Sequence, residues 1–484
     1  MKLIFSTTLI LLFCVSLYAQ NKINGLIHKT KTIDPKYQHL IYDYRIPDWG
    51  YNRFYLDFSA NLNGSDYTYN PNSYQTDYEN SQYNGLLRPY FYLYRTSEKY
   101  IFSFYSALNS NYRYYQDRQE TEFEIEKDIN RDFNNDLYIN GNLNQYLGRL
   151  FYLKFNSSNL YRYYENRDQS KIIIKSNNTS STTKNNYVRR EYNLNARFGV
   201  GLGRIRNVNP VFKALRFNQR LKDIDKTSGL SEADIKSLIY LYAHESAYNN
   251  TYDRPRKYFY EALPEKVTSQ IKNLQPWEMI YLDEVSDEII GSRYEGFEIN
   301  GGIQLTHQHT VYTNIGGSAE LTILGFYMEQ EYYHNISPGY QIGTNVDLSY
   351  LKILNENTMV NNVGRGIATF MNLWNITDRL LMEFDLGYET GFATIDNIRY
   401  QMGILETYDK WYKSDRFNLS LSMDYFLENN LSLGTTISNT ANRYWPQDDS
   451  FYYDGYQYGS SSYEKDRNWY AQIDLRYYFI RGMY

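Results

Sequence analysis

Apolar and polar side chains alternate one by one along much of this chain, a period-two pattern that predicts β-strands with two unlike faces. The cleanest run is Phe417-Asn418-Leu419-Ser420-Leu421-Ser422-Met423-Asp424-Tyr425, where odd positions are apolar and even ones polar. After the short turn Glu428-Asn429-Asn430 the pattern resumes, with Leu431, Leu433 and Ile437 on one face and Ser432, Thr436 and Ser438 on the other. Two such runs on so tight a turn predict an antiparallel hairpin. Phe54 to Leu62, Leu137 to Leu143, Met382 to Tyr388 and Trp469 to Phe479 alternate in the same way.

The connections alternate in length as well. Short turns are expected at Thr96-Ser97-Glu98-Lys99, Leu147-Gly148-Arg149, Asn375-Ile376-Thr377-Asp378 and Glu428-Asn429-Asn430. Longer Tyr-, Asn- and Ser-rich loops are expected near 65–85, 118–131, 167–186, 396–413 and 443–464. Short turns on one side and long loops on the other suit a transmembrane antiparallel β-barrel, an all-β fold. The pattern gives about fourteen strands, roughly six before residue 208 and eight after 292, within the even-numbered series such barrels follow. Residues 312–365 alternate least clearly, so twelve and sixteen stay open.

One segment changes period. From Asn209 to Ile290 helical spacing replaces alternation. Asn209-Pro210 reads as an N-cap followed by proline at the first helical position. Ser231-Glu232-Ala233-Asp234 opens a helix carrying Ile235, Leu238, Ile239 and Tyr242 on one face. Further helices are expected near 254–274 and 276–290. Strand parity puts this insert on the short-turn side, beneath the barrel or folded up into it.

The N-terminus assigns the compartment. Lys2, the apolar run Leu3 to Leu17 and the small residue Ala19 before Gln20 form the pattern of a cleaved secretory signal. Bulky Phe13 before Cys14 disfavours lipoprotein processing, and removal of the signal leaves a mature chain without cysteine, hence without disulfide or thiolate chemistry. No later segment approaches the apolar length of a membrane helix, so an exported chain that enters lipid must do so as a closed barrel. The expected order is signal peptide 1–19, N-terminal periplasmic segment 20–50, first barrel half 51–208, helical periplasmic insert 209–290 and second barrel half 291–484.

Composition refines this picture. A mean hydropathy of −0.65 suits a soluble protein at first sight, but a barrel sets a polar residue after each apolar one and reaches low averages too. The 56 tyrosines suit aromatic girdles, with the ring in hydrocarbon and the hydroxyl in water. A net charge of −5 argues against nucleic acid as a partner.

The layout resembles Gram-negative outer-membrane β-barrels over essentially the whole mature chain. Gly199-Val200-Gly201-Leu202-Gly203-Arg204-Ile205 followed by a helical insert is similar to an uncharacterised, porin-like group of such barrels. Trp469 to Tyr484 resembles the terminal strand recognised by the barrel-assembly machinery, although Tyr484 is out of phase with the face ending at Phe479. The resemblance implies residence in the outer membrane, with its lipid and that machinery as partners.

Three motifs are weighed and set aside. Gly199, Gly201 and Gly203 recur every second residue on the inward face, whereas a nucleotide loop needs a strand, a tight turn and a helix. His244-Glu245 begins like a zinc-protease helix, but position 248 is Tyr rather than the second His. His307 and His309 share the face of Ile303 and Leu305 without a third ligand. No cofactor, metal site or catalytic residue is assigned, and the chain is read as non-enzymatic. The expected function is a channel or secretion conduit for polar solutes or polymers. Asp57, Lys154, Arg197, Glu298, Asp347, Glu383, Asp385, Glu389 and Asp424 would line the lumen and set its selectivity. The insert 209–290 would gate it or dock a periplasmic partner. Two alternatives are a structural or adhesive barrel binding glycans through its Tyr- and Asn-rich outer loops, and a barrel hydrolase using acids such as Glu383 and Asp385.

Overall fold

A computed structural model describes residues 33–477, apart from 70–75, 149, 225–228, 289, 314–316, 356–359, 378–379, 402–403, 429–430, 445–450, 454–455 and 459–463. The expected signal peptide and the chain after Tyr477, with Phe479 and Tyr484, lie outside the described residues. Six long strands come first: β1 (Trp49–Tyr69), β2 (Thr76–Thr96), β3 (Tyr100–Glu120), β4 (Glu124–Leu147), β5 (Phe151–Ile174) and β6 (Thr179–Asn207). The second series is β7 (Tyr294–Tyr312), β8 (Gly317–Ser337), β9 (Tyr340–Ile353), β10 (Val360–Thr377), β11 (Leu380–Gln401), β12 (Ile404–Glu428) and β13 (Leu431–Tyr444). A small hairpin, β14 (Phe451–Tyr453) and β15 (Tyr456–Tyr458), precedes the final strand β16 (Glu464–Tyr477).

Leaving out the small hairpin, these strands form one 14-stranded antiparallel sheet in strict chain order, β1 through β13 and then β16. Residues 312–365, the least legible stretch of sequence, resolve into β8, β9 and the start of β10, with a tight turn at Pro338-Gly339. Among the described residues no pairing joins β1 to β16, and the middle of β1 (Leu56 to Ala60) is exposed on both faces.

The sheet is strongly curved. Lys154 of β5 bonds directly to Glu329 of β8, although three strand spacings on a flat sheet would separate them by roughly 14 Å. Its convex face is apolar and open: Phe58 is 73% exposed, Phe326 66% and Ile473 76%. The concave face holds the buried polar residues, among them Asn300 at 5%, Gln304 at 7% and Asp136 at 9%. Sequence and packing agree here, since the period-two pattern sends alternate residues to the two faces of the sheet.

The expected long loops are mostly strand. Residues 65–69, 76–85, 118–120, 124–131, 167–174 and 179–186 continue the ladders of β1 to β6, and β6 alone spans 29 residues. A tilted strand needs only about 9–11 residues to cross a bilayer. The apolar convex band on Phe151, Leu153, Phe155, Phe198, Val200 and Leu202 occupies the turn-end part of β5 and β6, so their remainder projects as polar ribbon. Polar composition suggests loops, yet paired backbone lets polar side chains extend a hairpin equally well.

Between β6 and β7 the helices are α2 (Asn209–Asp223), α3 (Glu232–Ala243), α4 (Glu245–Thr251), α5 (Pro255–Glu261), α6 (Glu265–Ile271) and α7 (Pro276–Asp283). The short N-terminal helix α1 (Gln38–Tyr42) joins them. Ile33, Leu40, Ile41 and Tyr44 from the N-terminal segment pack with Val211, Leu215, Phe217, Leu221, Ile235, Leu238, Val267 and Leu282 in one core. Ser231 caps α3 as its motif predicts. Asn209 does not cap α2, whose N-cap is Val208. Its side chain instead accepts from the Arg293 amide at 2.7 Å and donates to Gly291 O at 3.2 Å, tying the start of the insert to its exit.

Candidate functional site: the concave face and its helical cap

Along β1 to β6 the register puts every second residue on the concave face, and most of these are Tyr, Asn or Ser. The Tyr55 and Tyr90 rings stack with centroids 4.7 Å apart, and Tyr90 lies 6.4 Å from Tyr105. Tyr51 packs against Tyr92 at 5.6 Å and Tyr94 at 5.8 Å. Across the ladder Tyr105 faces Asn140, while Asn142 faces Asn156. Much of the tyrosine content thus turns inward rather than to membrane girdles.

Glycines make room for this packing. A Cβ on Gly201 would lie 2.3 Å from the Tyr152 ring, and one on Gly199 would lie 2.4 Å from the Tyr327 hydroxyl. The inward placement expected for these glycines holds. Gly203 and Gly296 adopt φ of +93° and +124°, a backbone shape glycine alone takes without strain, and a Cβ on either would lie 2.1 Å from a carbonyl oxygen of the neighbouring strand.

On β7 to β12 the concave charges are mostly acids. Glu329 sits at the centre of a small network: it pairs with Lys154, accepts from Arg197 Nη1 at 2.9 Å and accepts from Asn300 Nδ2 at 3.2 Å. Arg197 also donates to Gln304 at 2.9 Å. Glu298 stands opposite Glu331 in the β7–β8 register, and Glu329 opposite Asp347 in the β8–β9 register. Glu389 pairs with Arg365 at 2.8 Å and Arg416 at 3.7 Å, nearer the loop end. Among the described residues Glu298, Glu331, Asp347, Glu383, Asp385 and Asp424 form no ion pair, so this wall is acidic on balance. Asp57 lies on exposed β1, across from Arg88. The candidate lumen residues therefore fall into four groups: Lys154 and Arg197 in one ion-paired cluster, the acids Glu298, Asp347, Glu383, Asp385 and Asp424 without an ion pair, Glu389 apart near the loop end, and Asp57 by itself on β1.

Like charges directly opposite each other cost stability. The Glu298–Glu331 register pair bears that cost, whereas Lys154 and Arg197 offset the charge of Glu329 opposite Asp347. Sequence reading missed Glu329 and Glu331 because they fall in the stretch where alternation was weakest. Their signal is Phe326-Tyr327-Met328-Glu329, in which Phe326 and Met328 mark the outward face.

The helical cap lies across the turn end of the sheet. On one side the Asn250 carbonyl oxygen of α4 accepts from Arg53 of β1 at 3.1 Å, and His244 packs 6.3 Å from Trp49. On the other, Gln38 donates to Ile336 O at 2.8 Å and Tyr42 donates to Asn335 O at 3.0 Å. Arg293, fully buried, donates to Gly339 O at 3.3 Å and to Asn375 Oδ1, with its guanidinium 5.1 Å over Phe212. Burial holds this guanidinium well below its ordinary value, at about 9. In the β2–β3 turn, burial pushes the Glu98 carboxyl up. The bonds from Arg206 (2.9 Å) and the Ile46 amide (2.8 Å), with the Arg204 charge, outweigh it and hold Glu98 below the usual carboxylate range.

His307 Nδ1 lies 3.0 Å from Thr322 Oγ1, and its ring is 6.5 Å from His309. No group of three or more metal-ligating side chains is found among the described residues. His244 ends α3 beside Tyr240, and Glu245 pairs with Lys213.

No protein-family model and no curated protein matches this chain. Among solved structures it is similar to the translocator domain of the autotransporter NalP from Neisseria meningitidis, at 9% identity over 98% of each chain, with a TM-score of 0.17. It is also similar to the copper transporter OprC, at 8% identity over 88% of this chain and 72% of that one, with a TM-score of 0.24. The architecture rests on the strand pairings themselves.

Proposed function

We propose that the chain is an outer-membrane β-barrel, exported by its signal peptide and assembled by the barrel machinery, that conducts polar solutes under control of a helical plug. In this reading β1 and β16 close the sheet, the convex band meets lipid, and the short-turn end with its cap faces the periplasm. The observation that carries it is the cap, a helical unit with its own apolar core tied to β1 on one side and to β8, β9 and β10 on the other. A structural barrel has no use for such a unit across its mouth. The acidic wall favours cationic and neutral solutes over anions. The reading contains no catalytic step.

Planar-bilayer conductance tests it. Cysteines replacing Arg53 and Asn250, whose side chains meet at 3.1 Å through the far end of the arginine, should be bridged by a bis-thiol-reactive reagent with a cleavable disulfide spacer that silences the channel, with openings restored on reduction. A protein that stays closed when bridged, when reduced and after deletion of 209–290 overturns the channel reading. A second reading, surface adhesion, is favoured by the polar ribbons of β1 to β6. It predicts that trimming those ribbons abolishes attachment while conductance persists.

A further inference from the structure

We infer that the concave face of β1 to β5 is a binding track for an uncharged polyhydroxylated chain, a neutral oligosaccharide. This deepens the conduit reading by naming a ligand class, and it rests on that reading for the accessibility of the face.

Two independent observations carry it. The first is the row of rings Tyr51, Tyr55, Tyr90, Tyr92, Tyr94 and Tyr105, turned to the concave side on three adjacent strands. Membrane girdles require rings on the convex side, so lipid does not account for them. A pyranose offers an apolar C–H face to an aromatic ring and hydroxyls around its edge, and a tyrosine row offers faces and hydroxyls in turn.

The second is a set of unused acceptors beside those rings. The side-chain carbonyl oxygens of Asn140 and Asn142 on β4 and of Asn156 on β5 are buried and have no hydrogen-bond partner among the described residues. Buried polar atoms are nearly always paired, and a cluster of exceptions calls for a specific cause. Sugar hydroxyls are donors of the right kind, since an amide oxygen accepts and carries no charge. Tyr105 and Asn140 are register partners, so the ring row and the amide row form one continuous surface.

Charge selects among glycans. Among its rings the track carries charges of both signs, Arg53, Asp57 and Arg88, while the acids Glu298, Glu331, Asp347, Glu383 and Asp385 share its concave face on other strands. An acidic sugar chain would meet repulsion there, and a neutral one would not.

Equilibrium titration of the purified full-length protein tests this without any channel assay. The probes are hexasaccharides of α-1,4-glucose, β-1,4-glucose, α-1,6-mannose and β-1,4-N-acetylglucosamine, with hexagalacturonate and polyethylene glycol of matched length as controls. At least one neutral hexasaccharide should bind saturably and both controls should not. Tyr90→Leu or Asn142→Leu should weaken that binding roughly tenfold, the equivalent of about 1.4 kcal/mol. Phe58→Leu on the convex face should leave it unchanged and shows that the fold tolerates such exchanges. The inference is overturned if no neutral hexasaccharide binds, if hexagalacturonate binds as well, or if neither inward substitution weakens binding. Conductance that survives such a result would leave the channel reading standing by itself.

Discussion

Phe217 and Phe58 carry the same side chain in opposite circumstances. Phe217, in the helical cap, is fully buried among Leu215, Leu221 and Leu238, whereas Phe58, on β1, is 73% exposed. The cap is built as water-soluble proteins are, with helical spacing and an apolar centre. The sheet is built the other way round, with apolar residues outside and Tyr, Asn and charged residues within. In the barrel reading proposed above one chain folds against two solvents, and the period of its hydrophobic pattern, 3.6 or 2, says which applies where.

The comparison breaks most readily in the cap. Phe217→Ala removes a large side chain from a closed core and should destabilise the cap by about 3–5 kcal/mol, while Phe58→Ala in detergent should change little. Thermal melts by near-ultraviolet circular dichroism would show a separate early transition in the first variant only. Next in size, Phe58→Arg should cost roughly 2–4 kcal/mol in lipid if the residue sits near mid-bilayer, and less in detergent. Urea unfolding from liposomes measures it. An equal effect in both media would deny the convex face its contact with hydrocarbon.

A smaller effect is expected at the seam between the two regions. Asn375→Ala strips an acceptor from buried Arg293, a loss of about 1–3 kcal/mol that should appear as more frequent channel openings. Smaller still is a pH response at Glu98. Its carboxyl is held below the ordinary value in the folded protein, so its contribution is present above about pH 4.3 and is lost as pH falls below that. Acid should loosen the cap, and Glu98→Gln should abolish the acid-dependent part of the openings. Alkali acts with the opposite sign on Tyr260, which burial pushes up to about 12. Its neutral form supports the cap below pH 10, and that support fades as pH climbs towards 12.

The fold was legible because alternation is local: Phe417 to Tyr425 names its own two faces without reference to any neighbour. The strand ends were not, since Ser-, Thr- and Asn-rich stretches such as 179–186 are polar on both sides beyond the apolar band, and polarity alone does not separate ribbon from loop. The site was half legible. Parity turned Lys154, Arg197 and Asp347 to the interior, but the meeting of Lys154 with Glu329 depends on curvature across four strands, which no local pattern records. The Arg293 latch was invisible for a similar reason. Its partners come from Gly339 and Asn375, far along the chain, and a lone arginine between an insert and a strand has no periodicity to betray it.

The central claim is that successive side chains on one strand see hydrocarbon and water in turn. Single cysteines placed one at a time from 54 to 59 in the mature protein, reconstituted in liposomes, test it directly. A fluorophore at 54, 56 and 58 should be quenched by lipid-borne nitroxides, whereas cysteines at 55, 57 and 59 should react with a water-soluble maleimide. Uniform quenching or uniform labelling along the six positions would contradict the account.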